Sequence, residues 1–278
     1  MFTYDDNIDD FDLVDDDEFD FIDNKYIVFY LAGIKYAFPI ANLLEITILP
    51  SNINRIHMNR NYYAGITKLR DSIIPLINLR ILLNYKTIDE EADELIEMLK
   101  KREQDHKNWV DELDKSTHER REFKLTTDPH LCAFGKWYDA FKTDNLIVST
   151  FLKKFDSPHK TIHGIGTEVN ILKKQNKHSD AITLIDNVKD NELKLMIDLF
   201  NRLFVLLKEN KRQILLVFEI GNQNIGYIVD NVENVLTIPA ENIETNIQGN
   251  KLSVIKGIAK MESDTICLLS PEIEEDEE

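Results

Sequence analysis

The chain has 278 residues, enough for one large domain or two ordinary ones, each able to bury a core. Its 50 acids against 33 bases give a formal charge of −17, which disfavours binding nucleic acid through a basic face. Two cysteines, at positions 132 and 267, argue against a disulfide scaffold, and no apolar run suits a signal peptide or a membrane span.

The charge sits at the ends. Residues 1–23 carry 11 acids and no base, residues 272–278 carry six more acids, and the chain between is close to neutral. Segments 1–23 and 273–278 therefore read as solubilising, disordered tails. Phe2, Phe11, Leu13, Phe19 and Phe21 interleave with the acids of the first tail, so a docking peptide for a basic partner is a second reading. The longest apolar stretch, Leu193 to Leu207, is broken by Asp198, Asn201 and Arg202. A soluble, cytoplasmic protein is expected.

After the first tail, Ile27–Leu31 and Lys35–Phe38 read as a hairpin around Ala32-Gly33, and Tyr63–Leu69 and Ser72–Ile77 as another around Arg70-Asp71. Both hairpins recur. Phe29, Phe38, Asn42 and Pro50 map onto Phe218, Tyr227, Asn231 and Pro239 at one offset of 189 positions. Gly65-Ile-Thr-Lys-Leu and Ile74-Pro-Leu return as Gly257-Ile-Ala-Lys-Met and Ile266-Cys-Leu at an offset of 192. The second copy pairs Gln213–Ile220 with Ile225–Val229, and Val254–Met261 with Thr265–Leu269 around Ser263-Asp264. Short strands with regular turns suggest one small barrel per copy, in residues 24–87 and 210–272. Cys267, in an apolar run, reads as a core residue.

Between the copies the apolar period changes from 2 to 3.6. Glu90–Leu113 reads as one helix, acidic in its first turn. Asp128 is placed as the cap of a second, with Pro129 first and Cys132 one turn inside. Ser157-Pro158 opens a third. Residues from about Ser179 to Lys208 form a fourth, striped by Leu193, Ile197, Phe200, Phe204 and Leu207. Residues 88–209 are thus expected to form an inserted four-helix bundle.

The bundle holds the chemistry. His106 falls on the apolar stripe of the first helix with Ala92, Leu99 and Leu113, where an unpartnered imidazole is costly. His159 and His163 stand one turn apart on one face of the third helix. With Cys132 they make one thiolate and three imidazoles, a set that suits a closed tetrahedral Zn²⁺ site. Taken singly, each is more simply a core residue; together, on inward helix faces, they point to metal. Lys160 stands where an HExxH helix has glutamate, and four ligands leave no position for water, so hydrolysis is disfavoured. No phosphate loop or nucleophile elbow is present, and no enzyme is expected. His130 reads as an exposed residue and not a fifth ligand.

The segments His106-x2-Trp109, Cys132-x2-Gly135-Lys136-Trp137-Tyr138 and Pro158-His159-x3-His163 resemble the chemoreceptor zinc-binding domain, a helical bundle of bacterial signalling proteins. The resemblance covers roughly 88–209. It implies zinc on His106, Cys132, His159 and His163, with Trp109, Gly135 and Trp137 around them. Metal occupancy or thiolate chemistry would then be read as a signal.

The split repeat has a resemblance of its own. Tyr36-x-Phe38-Pro39-Ile40, Leu44-Glu45-Ile46, the run Gly65 to Arg80, and Ile225-Gly-Tyr-Ile-Val-Asp230-Asn-Val look like CheW, the adaptor that couples bacterial chemoreceptors to the histidine kinase CheA. It implies two five-stranded barrels side by side, with kinase and receptor tip docking on separate faces. Glu45 and Arg70 match an acid and an arginine near those faces, and Arg80 is assigned to a partner face with them. An ordinary solvated Glu45–Arg70 pair, contributing under about 1 kcal/mol, is the competing reading. Asp71 stands where the family has glycine. The expectation is an α+β, two-domain scaffold bridging a chemoreceptor and CheA at receptor arrays, its zinc bundle sensing zinc availability or oxidants. A passive adaptor with structural zinc is the alternative.

Overall fold

The computed structural model describes residues 24–56, 59–143, 145–209, 211–245, 254–261 and 264–273. The tail 1–23, residues 274–278 of the second tail and Ser263 of the last expected turn lie outside them. The chain divides into two compact units, one within Met1–Tyr85 and Arg212–Glu278, the other Lys86–Lys211.

The first unit is built of strands. They are β1 (Lys25–Leu31), β2 (Ile34–Pro39), β3 (Leu43–Ile48), β4 (Tyr63–Leu69), β5 (Ser72–Asn78), β6 (Ile214–Ile220), β7 (Gln223–Val229), β8 (Asn231–Thr237), β9 (Ile243–Glu244), β10 (Ile255–Lys260) and β11 (Thr265–Leu269). One sheet runs β8-β1-β2-β11-β10-β9 and the other β3-β6-β7-β5-β4. This corrects the expectation of one five-stranded barrel per copy. Each sheet takes its central hairpin from one copy and its flanking strands from the other, and among the described residues neither sheet closes on itself. Exchange is made by antiparallel pairing of β8 with β1 and of β3 with β6, and by parallel pairing of β11 with β2 and of β5 with β7, which no tight turn can encode.

Burial on both faces explains the continuous apolar runs of the central strands. Ile27, Phe29, Leu31, Tyr36 and Phe38 point into a core shared by both sheets, where they meet Leu216, Phe218, Tyr227 and Val229. The alternate residues Val28 and Ala37 fill a separate core with Ile238, Ala259, Ile266 and Leu268. On the other sheet Leu215, Val217 and Ile228 do the same with Ile74 and Leu76. Gly226 is small of necessity, because a Cβ there would lie 2.7 Å from Leu215 and 2.8 Å from Leu76.

Arg80, assigned to a partner face, is buried within its own unit. Asn78 caps the short helix α1 (Leu79–Leu82), its Oδ1 accepting from the Arg80 and Ile81 N–H groups. Arg80 is thereby turned inward, 4% exposed, and donates from Nε and Nη2 to the two carboxylate oxygens of Asp230 at 2.6 and 2.7 Å. Asp230 also accepts from the Ala32 N–H at 2.8 Å. That bond secures a hairpin turn in which Ala32 (φ 51°) and Gly33 (φ 78°) are both left-handed. One buried ion pair therefore fixes α1, the β7–β8 corner and the β1–β2 turn.

The second unit is helical: α2 (Ile88–His118), α3 (Ala133–Ala140), α4 (Leu146–Leu152), α5 (Asp156–Lys174), α6 (His178–Val188) and α7 (Lys194–Glu209). Thr87 and Glu90 form a reciprocal capping box at the start of α2. A π-helical segment, Lys189–Leu193, joins α6 to α7 without a break, so among the described residues there are five helices where four were expected. The additional one is α4, which with the short α3 fills the link between α2 and α5. The core gathers Leu99, Val110, Leu113, Phe134, Phe155, Ile162, Ile185 and Phe200. No helix among the described residues is long and apolar enough to cross a membrane.

Asp230→Ala, which strands a buried guanidinium, should destabilise the strand unit by about 3–5 kcal/mol in urea unfolding, whereas Arg80→Met/Asp230→Leu should lose much less. Equal losses in the two variants would remove the ion pair as the cause. Replacing residues 88–209 by a linker of about six flexible residues, which spans roughly 13 Å, should leave a folded β-protein by circular dichroism. An unfolded product would show that the helical unit is needed to hold the exchanged strands together.

Candidate metal centre

Four side chains from two helices and one helix cap converge inside the helical unit. His106 lies on α2, and its Nδ1–H donates to the Arg102 carbonyl one turn back at 2.7 Å. That bond selects the tautomer and leaves the Nε2 lone pair facing the centre. His159 and His163 follow one another on α5, their ring centroids 4.9 Å apart.

Cys132 reaches the same point from a position other than the one expected. It does not lie one turn inside a helix capped by Asp128. Instead, the Asp128 carboxylate and carbonyl accept from His130 and Leu131 in a turn, and the helix begins only at Ala133 with Cys132 as its cap. The sulfur accepts the Gly135 N–H at 3.1 Å. Glycine is required there because a Cβ would fall 1.9 Å from the Pro129 carbonyl oxygen. The Cys-x-x-Gly spacing is thus a cap geometry that aims sulfur at the histidines.

The four ligand atoms all lie within 4.8 Å of one another. Cys132 Sγ is 3.2 Å from His159 Nε2 and 4.0 Å from His106 Nε2. Tetrahedral zinc bonds would set such edges at about 3.4–3.6 Å. His163 is 1% exposed, and its Nε2 has no hydrogen-bond partner. An orphaned buried nitrogen costs about 1–3 kcal/mol, and a cation at the centre would remove that cost. The residues present therefore fit a metal ion.

Electrostatics agree with the geometry. Burial depresses the His106 imidazole; burial and then the neighbouring imidazoles push His159 down to about 3, and burial followed by His106 pushes His163 down to about 4. All three are neutral near pH 7, the form that ligates. Burial also raises the Cys132 thiol, against the pull of the Gly135 and Phe134 N–H groups. Because the folded imidazoles resist protonation, acidification from about pH 6.5 toward their folded values should progressively destabilise the metal-free unit.

The surrounding residues differ in their roles. Trp109 donates from Nε1 to the Thr126 carbonyl at 2.9 Å and holds its ring 4.9 Å from that of His163. Trp137 stands one layer out, its ring against Phe134 and Phe141. Phe134, which the sequence did not single out, meets the rings of both His159 (5.0 Å) and His106 (5.6 Å). Its signal was its place two residues after the ligand cysteine. His130 is outside the cluster, exposed and paired with Asp139. In the strand unit Arg70 and Glu45 form an ion pair at 3.0 Å, with the arginine side chain 80% exposed. The turn takes its left-handed residue at Arg70 (φ 53°), so Asp71 is not asked to replace a glycine conformation.

Residues 25–117 and 180–273 match the family model described as CheW-like domain, and residues 106–170 that of the chemoreceptor zinc-binding domain. Over 69 residues, a quarter of this chain, the sequence is 35% identical to the chemotaxis protein CheW of Helicobacter pylori, and the aligned stretch spans 41% of that relative. A solved scaffolding protein, TtCheW from Thermoanaerobacter tengcongensis, aligns over 88% of each chain at 15% identity with a TM-score of 0.41.

Elemental analysis of the purified protein should find close to one zinc per chain, and His159→Ala/His163→Ala should lose it. Gly135→Ala should also lower zinc content, since it displaces the cap that carries the sulfur. Full zinc in the double-histidine variant would remove these ligands from the site.

Proposed function

The chain belongs to the CheW-like domain family, its domain split around a chemoreceptor zinc-binding domain, and from this premise we propose that it is a chemotaxis adaptor whose coupling is tuned at the metal centre. The strand unit would bridge the cytoplasmic tip of a chemoreceptor and the histidine kinase CheA in the cytoplasm, at receptor arrays. The Glu45–Arg70 pair, exposed at its arginine, is the assigned partner contact. No catalytic step is attributed to the chain; it acts as a scaffold.

Zinc would be held by His106, Cys132, His159 and His163, where it supplies a charge that keeps the thiol deprotonated. The observation that carries a sensing role is the unequal burial of these four. The histidines are 4%, 5% and 1% exposed, whereas Cys132 is only partly buried. The reactive ligand is thus the one that solvent reaches. A peroxide would take two electrons from the sulfur, leaving sulfenic acid and releasing hydroxide or water. The sulfur would then be a poorer ligand and a poorer cap for α3.

Reconstituting receptor, CheA and this protein tests the proposal. Chelation and mild oxidant should each change kinase output with wild type, and oxidant should have no effect with Cys132→Ser. Cys132, which zinc would hold as thiolate, should be modified before Cys267, a strand thiol raised by burial with no metal to deprotonate it. Kinase output unmoved by either treatment, with zinc present, would leave a passive adaptor with structural metal.

A further inference from the structure

A metal ion takes only one nitrogen of an imidazole. His163 is 1% exposed, and neither its Nδ1 nor its Nε2 makes a hydrogen bond. A cation on Nε2 would therefore still leave an Nδ1–H buried and unpaired, which is costly. His106 meets the same need within its own helix, through the Arg102 carbonyl. For His163, burial and His106 oppose protonation, and the Thr126 carbonyl, in the link after α2, is the backbone group that favours it. That carbonyl already accepts the Trp109 Nε1–H at 2.9 Å, and the Trp109 and His163 rings are 4.9 Å apart. A carbonyl oxygen has two lone pairs and can accept from both donors. Gly166, three residues after His163 on the same face of α5, lets the link sit this close. A Cβ there would stand 2.6 Å from the Thr127 methyl and 3.2 Å from the Trp109 ring.

On the reading that this centre holds zinc, we propose that the Thr126 carbonyl accepts the His163 Nδ1–H when Nε2 is on the metal. Trp109 is then a positioning residue, pinning that carbonyl through its indole N–H. Such an acceptor fixes the tautomer and the ring orientation of a ligand histidine. The link that carries the carbonyl also carries the sulfur. Thr126 Oγ1 accepts the Asp128 N–H at 3.2 Å, and the Asp128 turn leads into the Cys132 cap. One stretch of chain thus serves two ligands, by a carbonyl at one end and a thiolate at the other.

Zinc affinity, read by competition with a chromophoric chelator, and long-range nitrogen–proton spectra of the histidine rings test this on the full chain. In zinc-loaded wild type, His163 should carry its proton on Nδ1, and that proton should exchange slowly with water. Trp109→Phe keeps an aromatic ring and loses the N–H. Its zinc affinity should fall about 10–100-fold, and the His163 Nδ1 proton should exchange faster while that of His106 is unchanged. Gly166→Ala should weaken zinc binding by displacing Thr127. Gly166→Ala/Thr127→Ser, which removes the methyl that the new Cβ meets, should recover most of the loss. A tryptophan needed only for packing would lower thermal stability and leave the His163 proton as in wild type, which overturns the proposal. So does a loaded wild type in which Nδ1 binds zinc or its proton exchanges freely, and so does full zinc affinity in Trp109→Phe. If Trp109→Phe does not fold, the wild-type proton and the Gly166–Thr127 rescue decide. A wild type that takes up no zinc instead overturns the metal reading itself.

Discussion

Everything about this chain depends on where the strand unit lets its polypeptide leave and return. Asn78, at the end of β5, pairs with Ile228 of β7, and Ile214, at the start of β6, pairs with the next residue, Val229. Exit and re-entry therefore flank the same point of one central strand, two strand spacings apart, about 10 Å. The helical unit meets that requirement by its own means. Asp93 and Asp89 in the first turns of α2 pair with Lys208 and Lys211 beside the end of α7, so its two ends also lie together. An insert with joined ends leaves the ladder on either side intact.

The elements and their hairpin partners were legible, and the partners between the two copies were not. The runs Tyr26-Ile-Val-Phe-Tyr-Leu31 and Leu215-Leu-Val-Phe-Glu-Ile220 announced strands, and the repeat of Phe29 at Phe218 announced two copies. What the repeat could not reveal is that β2 pairs with β11 and β5 with β7. Parallel ladders join distant segments and carry no turn signature, so adjacency in sequence was mistaken for adjacency in space. The burial of Arg80 was not legible for a related reason. Its partner Asp230 is 150 positions away, and a charged residue following a strand reads as surface until its carboxylate is found.

In the metal centre, residue types and inward faces sufficed to gather His106, Cys132, His159 and His163, because helical period fixes direction. The local geometry of Cys132 did not follow. Asp128-Pro129 is a strong helix-start signal, and only the contact between Gly135 and the Pro129 carbonyl shows why the helix waits until Ala133. Three ligands stand on long helices, but the fourth hangs from an eight-residue helix, too short to hold its shape alone. Any loss at the sulfur acts first on that helix and on Phe134, which rests against Phe155 and Phe200.

Strand exchange has a consequence for how the protein tolerates damage. Each copy of the repeat supplies strands to both sheets and side chains to the core between them, so the copies are interlocked like the halves of a clasp. A protease that nicks the link between α2 and α5 severs the backbone but not the sheets, and the fragments stay associated through buried ladders. The same interlock makes the chain a natural split protein: two separately made pieces, divided near residue 143, have what they need to reassemble by complementation.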